Sequence, residues 1–421
     1  KKAQENGIDV IITDHHTVPE HPPTEALAIL HPKQKNTKYP FSELTGSGVA
    51  LKLAQALIQS SLPKDQQKAT FESLIDLASL GTIADLGILH DENRLIVKKG
   101  LKILQNTKWE GLKRLKELAN IKDEDEIDTV KIGFHIAPRI NAAGRIGDPY
   151  TALFLLLEEE GGTRAGSLGS ELERLNKNRQ EMTEKAMEEA EQFLIDNEEM
   201  PYLILAQSPD WHVGVLGLIA GKLAEKYSRP AIIMQDFGDT LVASARSPEF
   251  FNVVEAIAHC KKHLLSFGGH AQAAGFNLNK QNLQAFKEDI QSFTRQKLKN
   301  SELKSTLEID CEISEECITF DLLDKMEQIA PFGVGNKKPT FILRDVIPQF
   351  VAQVGRDKRH LKFSTTINSQ QLDVIAFRLG EHVDELRKHR KIDLVCQLEK
   401  NVWRDKAKIQ LQALDFRPIE E

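Results

Sequence analysis

The chain has 421 residues, of which 28% are charged and 41% are apolar, a balance typical of two or three packed domains. Its 55 basic and 62 acidic side chains give a formal net charge of −7, which excludes a globally basic coat but leaves room for a local basic groove. The four cysteines form no Cys-x-x-Cys pair, so neither a disulfide framework nor a zinc knuckle is expected. Because no apolar run approaches the ~18 residues of a membrane span and no secretory signal is present, we expect a soluble, cytoplasmic protein.

Short apolar runs alternate with polar loops and helical segments in the first third of the sequence. Two of the runs predict strands of a buried parallel sheet, residues 8–13 and 26–30. Apolar residues at helical spacing follow from Gly46, and a further helical stretch covers 74–89, where we expect breaks at Gly81 and Gly87. This alternation predicts an α/β layer architecture.

A long charged segment follows. Residues 166–197 favour a helix with little to bury on most faces, which is typical of a helix that bridges two domains. A second α/β region has a helix from Val213, a glycine-rich turn at 268–270 and more helix through residue 300. Three strands are predicted in it, at 202–206, 231–234 and 241–245.

The last part of the chain has the pattern of a β domain. Its short alternating runs are 306–312, 340–346, 361–365, 372–377, 392–398 and 408–413. Five or six short strands within about 115 residues predict a small closed barrel. An oligonucleotide-binding (OB) fold is the leading candidate.

The sharpest local pattern is Asp14-His15-His16, at the carboxyl end of the first predicted strand. Open α/β sheets place their sites at this edge, and imidazole with carboxylate suits Mn²⁺, Fe²⁺ or Zn²⁺. Asp85, flanked by apolar residues, is a candidate ligand only if a metal site exists. The alternatives are solvated loop histidines with Asp14 as a turn former, and a capping or hydrogen-bonded structural role for Asp85.

Two groups of residues are candidates for binding phosphate. The first lies in a predicted loop whose small residues permit close approach, and consists of Arg139, Asn141 and Arg145. The second lies in the second α/β region and consists of Ser244, Arg246, Ser247, Gly268, Gly269 and His270. Guanidinium groups pair bidentately with phosphate, and glycine backbone N–H groups can face it. The alternative for the arginines of the first group is an ion pair with structural carboxylates.

Basic and aromatic side chains alternate at two tips of the predicted barrel. The residues concerned are Arg356, Lys358, Arg359, Trp403 and Arg404. Proteins that bind single strands combine cations along the backbone with aromatic faces that stack on bases. The alternative is an ordinary hairpin with solvated charges and Trp403 in the core.

Together these motifs resemble the DHH phosphoesterase superfamily and, within it, the RecJ family of single-stranded-DNA exonucleases. The resemblance covers nearly the whole length. The motifs that carry it are 14–16 (DHH), 47–52 (SGVALK), 79–85 (SLGTIAD), 136–145 (IAPRINAAGR), 211–217 (WHVGVLG), 244–247 (SARS), 267–275 (FGGHAQAAG) and 331–336 (PFGVGN). It implies part of a DHH core with a parallel sheet, a connecting helix, a DHH-associated α/β domain and a C-terminal OB-fold barrel. The corresponding boundaries are 1–165, 166–198, 199–302 and 303–421.

The resemblance also implies an activity, the 5′→3′ hydrolysis of single-stranded DNA to 5′-mononucleotides in recombination and repair. Two Mn²⁺ or Mg²⁺ ions in a cleft between the core and the associated domain would activate water and stabilise the leaving oxygen. His15 and Asp85 carry over as metal ligands, His16 as a ligand or water-positioning residue, and Asp14 as a ligand or orienting group. The phosphate-binding candidates named above would hold the terminal phosphate and the adjacent backbone.

The sequence departs from the superfamily pattern at its start. It begins without Met, just before the strand that leads to Asp14, so the Asp-x-Asp and the further Asp that precede the histidine motif in the superfamily are absent. We therefore expect the chain alone to be inactive or nearly so. A C-terminus shortened relative to some relatives is a further expectation that stays open.

Two other functions stay open. A relative within the superfamily that cleaves short RNA or cyclic dinucleotides shares the histidine motif but generally lacks an OB barrel. A non-catalytic single-strand-binding protein would have lost the metal site, whereas His15, His16 and Asp85 are retained. The expected partners are single-stranded DNA with a 5′ end and a single-strand-binding protein or RecQ-type helicase, with no membrane and a monomeric state.

Overall fold

The computed structural model describes residues 2–19, 21–158, 161–195, 199–301, 303–355, 357–403 and 406–419. The chain divides into two units. The first comprises residues 1–105, 127–132 and 307–421, and the second comprises 106–126 and 133–306. Each unit is described by itself.

The N-terminal part of the first unit places a small parallel sheet beside helices. Strands β1 (Ile11–Thr13) and β2 (Ala28–Leu30) pair in parallel, with Ile11 opposite Ala28. The helices of this unit up to residue 132 are α1 (Lys2–Glu5), α2 (Gly46–Ser61), α3 (Lys64–Glu72), α4 (Ile75–Ala84), α5 (Asp91–Gln105) and α7 (Thr129–Lys131). The two predicted strands and the helix from Gly46 are therefore present. The expected burial of the strands was wrong, because no residue of β1 or β2 is buried and Ile11 is 52% exposed.

Helix α4 is buried on nearly all sides, which explains why its sequence is apolar without a clear periodicity. A Cβ on Gly100 of α5 would lie 2.1 Å from the Cβ of Ser79, and one on Gly81 would lie 2.6 Å from the Cβ of Ser47 in α2. These glycines let three helices approach closely. The expected helix break at Gly81 was wrong, because Gly81 lies inside α4 where its missing side chain serves packing.

The C-terminal part of the first unit is a seven-stranded sheet in the order β10-β11-β12-β14-β13-β9-β8. Its strands are β8 (Cys311–Glu312), β9 (Phe341–Val346), β10 (Gln349–Val354), β11 (His360–Ile367), β12 (Gln370–Ala376), β13 (Ile392–Trp403) and β14 (Lys406–Pro418). Helices α14 (Phe320–Gln328) and α15 (Val383–Lys388) accompany it. One apolar core forms between these elements, with Phe363, Leu394 and Leu398 fully or almost fully buried. Strand β10, which follows Pro348, was not predicted.

Helices form the first part of the second unit. They are α6 (Glu110–Leu118), α8 (Ala137–Ile146), α9 (Pro149–Leu156) and α10 (Ala165–Ile195), with a π-helical segment, Ile132–Ile136, leading into α8. The expected loop at 138–145 was wrong, because these residues belong to α8, which continues directly from the π-helical segment that precedes Pro138. The long helix α10 is present as predicted. It buries more than expected, including Leu172, Leu175 and Ala190.

The second unit continues with a five-stranded sheet in the order β3-β4-β5-β7-β6. Its strands are β3 (Ile204–Ser208), β4 (Ala231–Asp236), β5 (Thr240–Arg246), β6 (Leu264–His270) and β7 (Ala273–Asn279). Helices α11 (Val213–Tyr227), α12 (Val253–His259) and α13 (Leu283–Leu298) pack against it. The expected turn at 268–270 was wrong, since these residues end edge strand β6 and pair with β7.

None of the helices in the described ranges combines the length and the apolar character that spanning a bilayer requires.

Candidate metal centre and phosphate-binding residues

Asp14 organises the loop that follows β1. Its Oδ1 accepts hydrogen bonds from the backbone N–H groups of His15 and His16, at 2.7 and 3.2 Å, and lies 2.7 Å from Nδ1 of His16. The side-chain hydrogen bond with His16, together with the two backbone bonds, lowers the pKa of Asp14 to about 2. Asp14 is therefore a carboxylate at neutral pH and fixes the direction of the His16 ring.

The side chains of His15 and Asp85 lie close together in the first unit. Its Nε2 lies 3.5 Å from Oδ2 of Asp85, which caps the C-terminal end of α4. Partial burial lowers the pKa of His15, while the charge of Asp85 acts in the opposite direction. The imidazole is therefore kept neutral, which is the form that binds metal. Gly46, at the start of α2, lies beside the ring: a Cβ there would be in ordinary van der Waals contact with His15 Cδ2, at 3.4 Å.

A hydroxyl network fixes the helices on which these groups depend. Thr45 caps the N-terminus of α2 by accepting from the Gly48 N–H, and its Oγ1 lies 3.1 Å from both Ser47 Oγ and Thr82 Oγ1. Thr82 donates to the Ala78 carbonyl inside α4. Since Thr82 lies one turn before Asp85, the network ties the end of α4 to the start of α2.

The donor types fit a divalent cation, but the described residues supply only part of a ligand set. The structure brings together His15 with Asp85 and Asp14 with His16, as two pairs whose imidazole rings lie 4.5 Å apart. In the described ranges no group of three or more His, Cys, Asp or Glu side chains is placed to hold one ion. Mg²⁺ is often held by one or two carboxylates, with water and substrate phosphate as the other ligands, and Asp85 supplies one such carboxylate.

Three arginines of the second unit form no ion pair with a carboxylate among the described residues. Partial burial lowers the pKa of Arg145, Arg179 and Arg246, and the positive charge of Arg145 lowers the pKa of the other two further. Within the part of the chain that the structure describes, none of the three forms an ion pair. Arg179 is bound there through Nη2 to Asn176 Oδ1, at 2.8 Å, and its buried Nε has no hydrogen-bond partner among the described residues. Neighbouring cations without counter-charges form an anion-binding arrangement.

The start of α11 lies beside these arginines. Arg145 Nη1 donates to the Gly214 carbonyl at 3.3 Å, and Arg246 Nη1 donates to Ser244 Oγ at 3.3 Å. A Cβ on Gly217 would lie 3.1 Å from both Arg246 Nη2 and Ser244 Oγ. His212 caps the helix by accepting from the Gly214 N–H. Arg145, Ser244 and Arg246, which lie far apart in sequence, are thus gathered around one helix terminus.

Two predicted phosphate ligands are occupied by internal contacts. Arg139 donates from Nε to Glu173 at 2.6 Å, from Nη2 to the Leu118 carbonyl at 2.9 Å, and from Nη1 to the His135 carbonyl. Ser247 is buried and donates to the carbonyl of Phe251 at 2.6 Å. These contacts favour structural roles for both side chains, while Asn141 is exposed on α8.

The glycine pair lies on an exposed strand. Gly268 and Gly269 of β6 pair with Gly275 and Ala274 of β7, next to β5. Gly269 has φ +150°, and a Cβ there would lie 2.3 Å from the Ala273 carbonyl oxygen, so no larger residue fits. A groove of about 340 Å³ opens over this part of the sheet; among the residues that line it are Val242, Ser266, Gly268, Gly275 and Asn277. His270 ends the strand.

The structure describes only some of the residues of the predicted barrel that were expected to bind nucleic acid. Lys358 and Arg359 lie in the turn between β10 and β11, whereas Arg356, Arg404 and the side chain of Trp403 lie outside the described residues. Arg359 Nε lies 3.6 Å from Asp357. The face of β10 to β12 holds a groove of about 220 Å³, lined by Phe350 and Lys362 among others.

Sequence reasoning missed three residues of these surfaces. Arg179 lies on the helix that was expected to bridge domains, His212 lay inside a quoted motif without a role, and Phe350 belongs to the unpredicted strand. Phe350 is 80% exposed, which for an aromatic side chain on a sheet face indicates a contact surface. Of these three residues, only Arg179 could have been found from the sequence, because it is a charged residue at the helical spacing of the buried residues of α10.

Three family descriptions match successive parts of the chain. They are the DHH family N-terminal domain over residues 1–82, the DHHA1 domain over 199–296 and the RecJ OB domain over 309–415. Their order is the predicted one. The exact domain boundaries stay a prediction.

Curated relatives match over almost the whole chain. The single-stranded-DNA-specific exonuclease RecJ of Bacillus subtilis is 37% identical over 99% of this chain and 52% of its own length. The protein of the same name from Haemophilus influenzae is 30% identical over 99% of this chain and 75% of its own length. The chain thus spans about half the length of the B. subtilis relative.

Solved structures of RecJ are also similar to this chain. RecJ from Thermus thermophilus in complex with Mn²⁺ is similar with a TM-score of 0.83 and 30% identity, over 99% of this chain and 59% of that one. The same protein in complex with Mg²⁺ gives a TM-score of 0.79 at 29% identity, over 99% and 61%. These matches confirm the predicted fold class of DHH, DHH-associated and OB domains.

Proposed function

Because the chain belongs to the RecJ family of single-stranded-DNA-specific exonucleases, we propose that its protein hydrolyses single-stranded DNA from the 5′ end to 5′-mononucleotides with two Mn²⁺ or Mg²⁺ ions. The observation that carries the proposal is the approach of His15 to Asp85 at the carboxyl end of β1. Recombination and repair are the processes that such an activity serves.

In the first unit, His15 and Asp85 would hold a metal ion. The lowered pKa of His15 keeps Nε2 available as a donor, and Asp14 fixes the ring of His16 at the same edge. A bound Mn²⁺ or Mg²⁺ supplies Lewis acidity toward a phosphodiester and lowers the pKa of water. The protein holds these metal-binding side chains in place. Because His15 is neutral at physiological pH, it does not have to lose a proton before it binds the metal ion.

In the second unit, we assign phosphate binding to Arg145, Arg179 and Arg246 together with Ser244. The three guanidinium groups have no carboxylate to neutralise them within the described ranges, so an anionic ligand gains their full attraction. Gly268, Gly269 and His270 on β6 offer a surface for the adjacent backbone. Arg139 and Ser247 support this region through their internal bonds.

In the OB domain, we propose that the exposed face of β10 to β12 binds further nucleotides. Phe350 supplies an aromatic face and Lys362 a cation in one groove, the combination that single-strand binders use. Lys358 and Arg359 extend the basic surface at the adjoining turn. A monomeric cytoplasmic protein that meets a single-strand-binding protein or a RecQ-type helicase is consistent with this substrate.

The release of mononucleotides from 5′-phosphorylated single-stranded DNA tests the proposal. The whole protein with Mn²⁺ should degrade strands of about ten or more nucleotides in preference to dinucleotides. Asp85→Asn should lower kcat/KM by at least about 100-fold, since it removes a donor of the metal site. Asp65→Asn, at an exposed carboxylate of α3, is the matched control and should leave turnover unchanged.

Other outcomes would support the alternatives. Faster cleavage of dinucleotides or cyclic dinucleotides than of long strands would indicate the short-substrate relative. Tight, salt-sensitive binding of single strands without turnover at any metal concentration would indicate a binding protein.

A further inference from the structure

A loop of the OB domain lies against the segment that follows Asp85. We call residues 329–336 the docking loop. The Leu89 N–H donates to the Val334 carbonyl at 2.7 Å, His90 Nε2 lies 2.7 Å from the Gly335 carbonyl oxygen, and Arg94 Nη2 donates to the Ile329 carbonyl at 2.5 Å. These contacts join residues about 240 positions apart in the sequence, all within the first unit.

The contact is close enough to require glycine. Gly335 has φ +78°, and a Cβ on it would lie 2.3 Å from Cγ1 of Ile88. A Cβ on Gly333 would lie 2.8 Å from Cδ1 of Leu89. Asn336 holds the docking loop in shape by donating from Nδ2 to the carbonyls of Ile329 and Pro331, at 2.8 and 2.7 Å. A second anchor is Thr129, whose hydroxyl donates to the Phe332 carbonyl at 2.6 Å.

The segment held by the docking loop has a strained backbone. Leu86 and Asp91 adopt left-handed conformations, with φ +55° and +40°, which residues with a Cβ rarely adopt. Such conformations persist only where the surroundings over-determine them. On the N-terminal side, Gly87 packs against Thr45 and Thr82, where a Cβ would lie 2.4 Å from Thr45 Cγ2. On the C-terminal side, the docking loop binds Leu89 and His90, and the buried Asn93 donates to the Ile88 carbonyl at 3.0 Å.

We propose that the docking loop is a positioning element for the metal centre: it keeps residues 86–91 in their strained path and so keeps the Asp85 carboxylate directed toward His15. The inference rests on the proposed role of Asp85 as a metal ligand. It gives the OB domain a second role besides binding single-stranded DNA, because a loop of this domain also positions the residues that follow Asp85.

Hydrogen exchange and Mn²⁺ binding on the whole protein test the inference. Gly335→Ala should accelerate exchange of the Leu89 amide and weaken Mn²⁺ affinity about 10-fold, with affinity for single-stranded DNA in the absence of metal unchanged. Gly238→Ala is the matched control, since Gly238 also has positive φ, +90°, but a Cβ there meets nothing within 4 Å. It should change neither quantity. Arg94→Met removes two hydrogen bonds to the docking loop without introducing a clash. It should also accelerate exchange of the Leu89 amide and weaken Mn²⁺ affinity, but by less than Gly335→Ala does.

The outcomes separate this inference from the function on which it rests. Faster exchange at Leu89 with unchanged Mn²⁺ affinity would overturn the positioning role, as would unchanged exchange in both Gly335→Ala and Arg94→Met. If Asp85→Asn itself leaves Mn²⁺ affinity unchanged, the assignment of Asp85 as a ligand fails, and the positioning role fails with it. Weakened Mn²⁺ binding in Asp85→Asn alone would leave the proposed function standing and overturn only the role of the docking loop.

Discussion

Arg179 is a charged residue on the buried face of the long helix α10. Leu172, Leu175, Thr183 and Ala186 are buried on α10, and Arg179 falls at the same helical spacing. A charge in such a position requires a partner, because burying an unpaired cation is costly. The bond to Asn176 is neutral, and no carboxylate among the described residues compensates the charge, which is why we assign this side chain to an anionic ligand.

Replacing Arg179 tests that assignment. Arg179→Met should weaken binding of 5′-phosphorylated single-stranded DNA by about 10- to 100-fold, the worth of a hydrogen bond to a charged group. Fluorescence anisotropy over a salt series measures it. Arg174→Met is the matched control on the same helix, since Arg174 is exposed and already paired with Glu171 at 2.6 Å, and it should change affinity less than about twofold.

The chemical group at the 5′ end of the DNA provides a second comparison. If Arg179 contacts the 5′-phosphate, its replacement should cost much less with a 5′-hydroxyl strand than with a 5′-phosphorylated strand. An equal loss with both strands would move Arg179 to an internal phosphate. No loss with either strand would contradict its role in binding.

At the scale of elements, α4 and α5 lie in close contact through Gly100. A Cβ at this position would meet Ser79 Cβ at 2.1 Å and the Ile75 carbonyl oxygen at 2.9 Å. Gly100→Ala should therefore lower stability by about 1–3 kcal/mol, because overpacking outweighs the better helix propensity of alanine. Thermal unfolding measures the change.

A second helical glycine provides the opposite expectation. Gly166 lies in the first turn of α10, and a Cβ there meets nothing within 4 Å. Gly166→Ala should leave the melting temperature unchanged or raise it by the propensity gain of up to about 1 kcal/mol. A stabilising effect of Gly100→Ala would show that α4 and α5 can separate without cost.

Periodicity and composition predicted most of the regular elements. Helix α2, helix α11 and strands β4 and β5 have clear patterns, and the structure contains them. Local rules failed at two breaker residues. Pro138 follows a π-helical segment inside a continuous helical run, and Gly268 lies on an edge strand opposite another glycine. The pairing of Gly268 with Gly275 cannot be read from one segment, because it depends on the neighbouring strand.

The candidate site was predictable in its residue types but not in its pairings. The Asp14-His15-His16 motif predicted a cluster of donors, and the structure pairs Asp14 with His16 and His15 with Asp85. The internal bonds of Arg139 could not be foreseen, since Glu173 and Leu118 come from other helices. The roles of these residues stay predictions.

At the scale of the molecule, each unit has cores of its own and each has a buried cysteine. Cys396 lies in the core of the seven-stranded sheet and Cys260 lies in that of the five-stranded sheet, both fully buried. Burial raises the pKa of Cys260 to about 11 and of Cys396 to about 12, so little thiolate exists near pH 8. Cys311 and Cys317 are exposed.

The cysteines therefore report unfolding of the two units separately. Thiol labelling at pH 8 should modify Cys311 and Cys317 quickly, and Cys260 and Cys396 only as their cores open. Leu398→Ala removes a fully buried side chain beside Cys396 and should cost about 2–5 kcal/mol, which accelerates labelling of Cys396. Mass spectrometry of peptides measures each rate. Because Cys260 belongs to a different core, its rate should not change; equal acceleration of both cysteines would show that the two units unfold as one.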